Sequence, residues 1–219
     1  MAGRVGVKIY FARHGESEAN LLNIFANRTG FDGHPLTKRG RGQVEALAEN
    51  LKAQQIDQIY ASPVFRARES AELIATKLGV RFDTSEALRE YDVGSLEGTC
   101  DEAGWKQHDD VLSAWLLEHR WGERTGGGES FDEMAARFVP FSNDLRINHR
   151  GQTVLVIGHS GLFRCMLPHV LANVSYRYAH AHPLGHTSWV LAVDEGELLC
   201  RQWAGRSLTA QTARAGVQP

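Results

Sequence analysis

Three short stretches carry the residues best suited to chemistry. Tyr10 to Asn20 reads YFARHGESEAN and sets Arg13, His14 and Gly15 directly behind an apolar run. Ala61 to Ser70 reads ASPVFRARES and places Arg66 shortly behind a second apolar run. Ile157 to Gly161 reads IGHSG and places His159 behind a third, Thr153 to Ile157 (TVLVI). A guanidinium matches two phosphate oxygens at once, so Arg13 and Arg66 suit a phosphoryl clamp. Neutral imidazole is a competent nucleophile near pH 7, which suits His14, and His159 supplies a second imidazole. Gly15, Gly158 and Gly161 allow close backbone approach, and helix N-termini after His14, Ser62 and Ser160 would add N–H donors. The chemistry these groups suit is phosphoryl transfer. With two arginines and a second histidine to carry charge, no metal or other cofactor is required.

Such residues work only if the fold brings them together. Val5 to Ala12, Ile56 to Ala61, Val80 to Asp83 and Thr153 to Ile157 read as strands. Ser188 to Val193 and Glu197 to Trp203 read as a closing pair. Lys38 to Gln54 has helical apolar spacing. Pro63 to Leu78 reads as a helix with Ser62 at the N-cap and Pro63 at its first position. Ser130-x-x-Glu133 resembles a capping box opening a helix towards His149, with a kink expected at Pro140. Gly161 to Leu171 reads as a further helix. The alternation predicts an α/β fold: a three-layer, open, mostly parallel sheet with helices on both faces. Ligands of such sheets bind beyond the carboxyl ends of the strands. Arg13, His14, Arg66 and His159 all follow strand ends, so one edge is expected to gather them.

The bulk properties narrow the partners. At 219 residues the chain suits one domain, 1–219, with a core that needs no staples. Thr99 to Glu129 breaks the rhythm, carries Trp105, Trp115 and Trp121, and reads as a cap-type insertion. A net charge of −2 favours neither nucleic acid nor anionic membrane, so a bound anion must be held by a local cluster of cations. The three cysteines, Cys100, Cys165 and Cys200, are far apart and suggest neither a disulfide framework nor a zinc site. No run is long enough to span a membrane, the start lacks a secretory apolar region, and a cytoplasmic location is expected. The tail after Ser207 is small and polar and reads as disordered.

The ordered motifs resemble those of the histidine phosphatase superfamily, the phosphoglycerate mutase-like proteins. Its R-H-G-E-[ST]-x-x-N signature is matched by Arg13 to Asn20, and its P-L-[ST]-x-x-G-x-x-Q segment by Pro35 to Gln43. Its S-x-x-x-R-A-x-x-[ST]-A element is matched by Ser62 to Ala71, and its L-x-E-x-x-x-G-x-x-E-G element by Leu88 to Gly98. Gly128-Glu129-Ser130 and His159-Ser160-Gly161 complete the series. The resemblance implies that His14 is the nucleophile that becomes phosphorylated. It implies a phosphate pocket of Arg13, Arg66 and His159, with Asn20 contributing. It implies that Glu90 protonates the leaving oxygen and later serves as base for water, with Glu86 and Glu97 as nearby alternative acids. That role calls for a carboxyl pKa raised towards neutrality by partial burial or by a negative substrate.

A small phosphorylated metabolite is the expected partner, and monomer and homodimer both stay open. Hydrolysis of a phosphomonoester is the first reading. A phosphomutase is the second, and a non-catalytic phosphate-binding module is the third. The mutase branch carries a Glu-Arg-Arg-x-Tyr stretch after the E-G element. Thr99 to Gly104 (TCDEAG) departs from it, which favours the phosphatase branch. Ile24 to His34 is longer than the family's spacer and is expected to shape the pocket mouth. His180, His182 and His186 read as a polar loop rather than a metal site. The three tryptophans read as packing. Arg120 and Arg124 are either solvated or reach a second anionic group on the substrate.

Overall fold

The computed structural model describes residues 6–27 and 33–208. In chain order the elements are β1 (Lys8–Arg13), α1 (Glu18–Leu22), α2 (Lys38–Leu51), β2 (Gln58–Ala61), α3 (Phe65–Leu78) and β3 (Phe82–Thr84). There follow α4 (Glu102–Glu118), α5 (Phe131–Asn148), β4 (Thr153–Gly158), α6 (Ser160–Val170), α7 (Tyr176–Ala181), β5 (Trp189–Asp194), β6 (Leu198–Trp203) and β7 (Arg206–Ser207). They build one sheet in the order β3-β2-β4-β1-β5-β6-β7. The pairs β3–β2, β2–β4 and β4–β1 are parallel, whereas β5 to β7 are antiparallel additions beside β1.

Strand alternation divides β1 between two cores. Ile9 and Phe11 face one layer with Phe138, Leu145 and Phe163 from α5 and α6. Tyr10 and Ala12 face the other with Val44, Leu47, Ala71 and Ile74 from α2 and α3. Helices therefore cover both faces. β4 is buried on both, as its continuous apolar run requires. The chain lays down β1, β2 and β3 before β4 inserts between β2 and β1. The carboxyl ends of β1 and β4 are thus neighbours, with Arg13 paired in register with Gly158.

Several boundaries differ from the sequence expectation. α3 begins at Phe65 with Val64 as N-cap, not at Pro63. The Ser62 hydroxyl accepts the Val64 N–H and also contacts His159, so it is fixed ahead of the helix rather than capping its first turn. The third strand is Phe82–Thr84, and the helix after β4 starts at Ser160. Ser130 and Glu133 do form a capping box, and α5 continues through Pro140 to Asn148. The segment 99–129 contains α4, with Asp101 at its N-cap. Residues 1–5, 28–32 and 209–219 lie outside the described residues, and with them the start of the first expected strand, part of the Ile24 to His34 loop and the expected disordered tail. Among the described residues no helix is long and apolar enough to cross a membrane.

Candidate active site

The loop after β1 is held from two sides. The His14 N–H donates to the Gly158 carbonyl at 3.0 Å, tying the ends of β1 and β4 together. The Thr37 N–H donates to the Glu16 carbonyl at 2.9 Å, and Gly15 N–H donates to Ser70 Oγ at 3.1 Å. The approach of α2 to this loop is close enough that a Cβ on Gly40 would stand 1.9 Å from the Glu16 oxygen. Glycine is needed there for space.

The hydrogen bonds fix the histidine tautomers. His14 Nδ1 lies 2.7 Å from the Gly15 carbonyl. A carbonyl only accepts, so Nδ1 carries the proton and Nε2 keeps its lone pair. Arg66 Nε donates to that Nε2 at 3.0 Å. Arg66 Nη2 also lies 3.2 Å from His159 Nδ1, which must accept. His159 therefore carries its proton on Nε2, 2.8 Å from Ser62 Oγ. The two imidazole centroids are 5.1 Å apart. Burial, and then the neighbouring Arg66 charge, holds both histidines well below their usual pKa of 6.5. Burial also lowers Arg66 to about 10, which leaves it charged at neutral pH. Its Nη1 donates to the Ala26 carbonyl and its Nη2 reaches Asn27 Oδ1 at 3.2 Å. Arg13 donates through Nη1 to the Leu184 carbonyl at 2.9 Å, while its buried Nε has no partner.

Glu90 occupies the N-terminus of α6. Its carboxylate accepts the Gly161 N–H at 3.0 Å and the Leu162 N–H at 2.6 Å. These donors were expected to await phosphate. They hold the acid instead, because a helix N-terminus satisfies a carboxylate as readily as a phosphate. A Cβ on Gly161 would lie 2.8 and 2.9 Å from the two Glu90 oxygens, so this glycine leaves room for the carboxylate. The alternative acids lie elsewhere: Glu97 accepts the Asn27 N–H at 3.1 Å, and Glu86 pairs with Arg89.

Arg13, His14, Asn20, Arg66 and Glu90 line one cavity of about 210 Å³. Ile24 to Asn27, from the loop expected at the pocket mouth, also line it. His159 is fully buried and meets the site through Arg66 and the His14 ring rather than through the cavity wall. Asn20 Oδ1 receives the Ser17 N–H at 3.0 Å and His186 Nε2 at 3.2 Å, which leaves its amide nitrogen uncommitted.

His186 is a site residue that strand-end reasoning did not find. Its ring centroid lies 6.0 Å from that of His14. Burial, then Arg13, lowers its pKa to about 4. It arrives because β5 runs antiparallel to β1, so the start of β5 meets the end of β1, and Thr187 N–H donates to the Arg13 carbonyl at 3.2 Å. His180 lies in α7 and His182 caps it; among the described residues no three His, Cys, Asp or Glu side chains form a metal-binding group. Trp115 is buried against Tyr91 and Phe131, and Trp121 packs on Phe131. Trp105 stacks on Phe25 at 4.0 Å and lines the cavity. Arg120 pairs with Glu118 and Glu123, Arg124 pairs with Glu133, and neither lines the cavity.

Known proteins share this arrangement of chain and fold. A putative phosphoserine phosphatase 2 of Hydrogenobacter thermophilus is 31% identical over 163 residues, 73% of this chain and 76% of its own length. A 2,3-bisphosphoglycerate-dependent phosphoglycerate mutase of Brucella anthropi is 32% identical over 167 residues, 73% of this chain and 79% of its own. Among solved structures, a mycobacterial glucosyl-3-phosphoglycerate phosphatase superposes with a TM-score of 0.75 at 23% identity, covering 91% of this chain and 99% of that one. Residues 9–204 match the histidine phosphatase superfamily, branch 1. With that match spanning the sheet, its helices and the cavity, the chain belongs to the histidine phosphatase superfamily and is a phosphoric monoester hydrolase of it.

Proposed function

We propose that this chain hydrolyses a small phosphomonoester metabolite, without a metal, in two steps through a phosphohistidine at His14. The observation that carries this reading is the unprotonated Nε2 of His14, buried beside the Arg66 guanidinium at 3.0 Å. In the first step Nε2 forms a bond to phosphorus as the ester P–O bond breaks. Arg13 and Arg66 offset the charge on the phosphoryl oxygens, and the Asn20 amide donates to one of them. The Glu90 carboxyl gives its proton to the leaving alkoxide, and an alcohol departs. In the second step the Glu90 carboxylate takes a proton from water, whose oxygen attacks phosphorus. The P–N bond breaks, phosphate leaves, and His14 regains its lone pair. His159 acts from behind Arg66, fixing the guanidinium between two imidazoles.

Hydrolysis is favoured over phosphoryl return by the segment Thr99 to Gly104, which lacks the mutase-type stretch. The test is p-nitrophenyl phosphate turnover with and without EDTA, combined with trapping of an acid-labile phosphoenzyme. Turnover that survives EDTA, with label trapped in the wild type and absent in His14→Ala, supports the reading. Wild-type rates in His14→Ala would sink it.

A further inference from the structure

We infer that Arg164 forms a second anion subsite in the same cavity, so that the substrate's alcohol part carries a negative charge of its own. The inference rests on the hydrolase reading above. Arg164 lines the cavity, and among the described lining residues it is the only cation besides Arg13 and Arg66. Its Nη2 donates to the His180 carbonyl at 3.1 Å, while its buried Nε has no hydrogen-bond partner. The guanidinium keeps its charge and carries five N–H donors, of which one is committed to the His180 carbonyl, so an oxyanion in the cavity that Arg164 lines can accept from it. No carboxylate among the described residues forms an ion pair with it.

The position fits the chemistry. Ser160, Gly161 and Arg164 all line the cavity, so they share one face of α6. Arg164 stands four residues beyond Ser160, about 6 Å along the helix axis. Glu90 sits on the Gly161 and Leu162 N–H groups at the helix end. The leaving oxygen must meet Glu90, and a group a few bonds further along the alcohol then comes within reach of Arg164. Charge balance in the ground state points the same way. Arg13 and Arg66 offset a phosphoryl dianion, and Glu90, while it still holds its proton, adds no charge. The Arg164 charge is then left for another anion on the bound substrate. The cavity's small volume, about 210 Å³, and the apolar faces of Phe25, Trp105 and Leu112 select a compact alcohol.

The chemistry recognised is an oxyanion, from a carboxylate or from a second phosphate. Three probes of similar size separate these sources: ethyl phosphate, phosphoglycolate and ethane-1,2-diol bisphosphate. In the wild type kcat/KM for at least one anionic ester should exceed that for ethyl phosphate by about ten- to a hundredfold, the scale of a charge-assisted hydrogen bond. The preferred ester identifies carboxylate or phosphate. Arg164→Gln should collapse the preference to near unity, and Arg164→Lys should restore part of it. Three esters treated alike by the wild type, turned over or not, would overturn the subsite, as would a preference that survives in Arg164→Gln. The wild-type comparison decides even where the glutamine variant does not fold. Failure of the hydrolase reading looks different: neither p-nitrophenyl phosphate turnover nor a phosphoenzyme appears.

Discussion

Arg66 stands between His14 and His159, donating to Nε2 of the first at 3.0 Å and to Nδ1 of the second at 3.2 Å. One cation thereby presents two lone pairs inwards and disfavours a proton on either. In the proposed reaction the same group would keep the nucleophile unprotonated and neutralise the phosphoryl oxygens. A guanidinium does both because its planar fork has several donors and it keeps its charge when buried.

This arrangement makes stability fall in acid. His14 and His159 titrate near 6.5 when unfolded and well below that when folded. Above pH 6.5 both states are neutral and neither residue contributes a pH slope. Below it the unfolded chain binds protons that the folded chain refuses, so stability declines as pH falls towards the folded pKa values. With His186, whose pKa falls to about 4 on folding, the three imidazoles together give a slope approaching about 4 kcal/mol per pH unit. Urea unfolding at pH 7.5, 6.0 and 5.0 measures it. His159→Asn should remove roughly a third of the slope, and a flat profile from 7.5 to 5.0 would contradict the depressed values.

Glu90→Gln separates acid catalysis from attack. A nitrophenolate leaves without a proton, whereas an alkoxide does not. Alkyl phosphates should slow by about 10²- to 10⁴-fold and p-nitrophenyl phosphate by less than about tenfold. Steady-state kcat/KM on both ester classes gives the answer. Equal slowing would remove Glu90 from the role of acid.

Much of the site was legible because parallel strands deliver residues to one edge in a predictable way. Arg13, His14, Arg66 and His159 each follow a strand whose apolar run is plain in the sequence, and the sheet order sets β1 beside β4. His186 was not legible for the opposite reason. It precedes a strand, and only the reversal of β5 against β1 turns a strand start into a site residue. The tenancy of the α6 N-terminus was hidden as well. Spacing places Glu90 in a loop after β3, but not on the Gly161 and Leu162 N–H groups. Arg164 reads as any helix arginine until the cavity wall is known.

Gly161→Ala should imitate loss of the acid. The added methyl would sit 2.5 Å from Tyr91 Cε1 and within 2.9 Å of both Glu90 oxygens, so the carboxylate must move. Alanine favours the helix itself, so the clash rather than helix propensity dominates. The kcat/KM for alkyl phosphates should fall at least about tenfold, and that for p-nitrophenyl phosphate should fall less. Equal retention of both activities would show that Glu90 works from a different position.

His186 positions Asn20. As a neutral ring it donates Nε2–H to Asn20 Oδ1 at 3.2 Å, while the Ser17 N–H donates to the same oxygen at 3.0 Å. The Ser17 hydroxyl donates there too, at 3.0 Å, and an amide whose oxygen is claimed by three donors presents its nitrogen, a donor, to whatever anion fills the cavity. His186→Ala removes one of the donors that hold the amide, leaving it to Ser17 alone, and should weaken competitive inhibition by inorganic phosphate about three- to tenfold, the scale of one hydrogen bond. Asn20→Ala should do the same. The double variant should be little worse than either single one, because the two act through one contact. His186→Gln keeps an N–H donor and should recover part of the affinity. Fully additive losses would show that His186 acts on phosphate independently of Asn20.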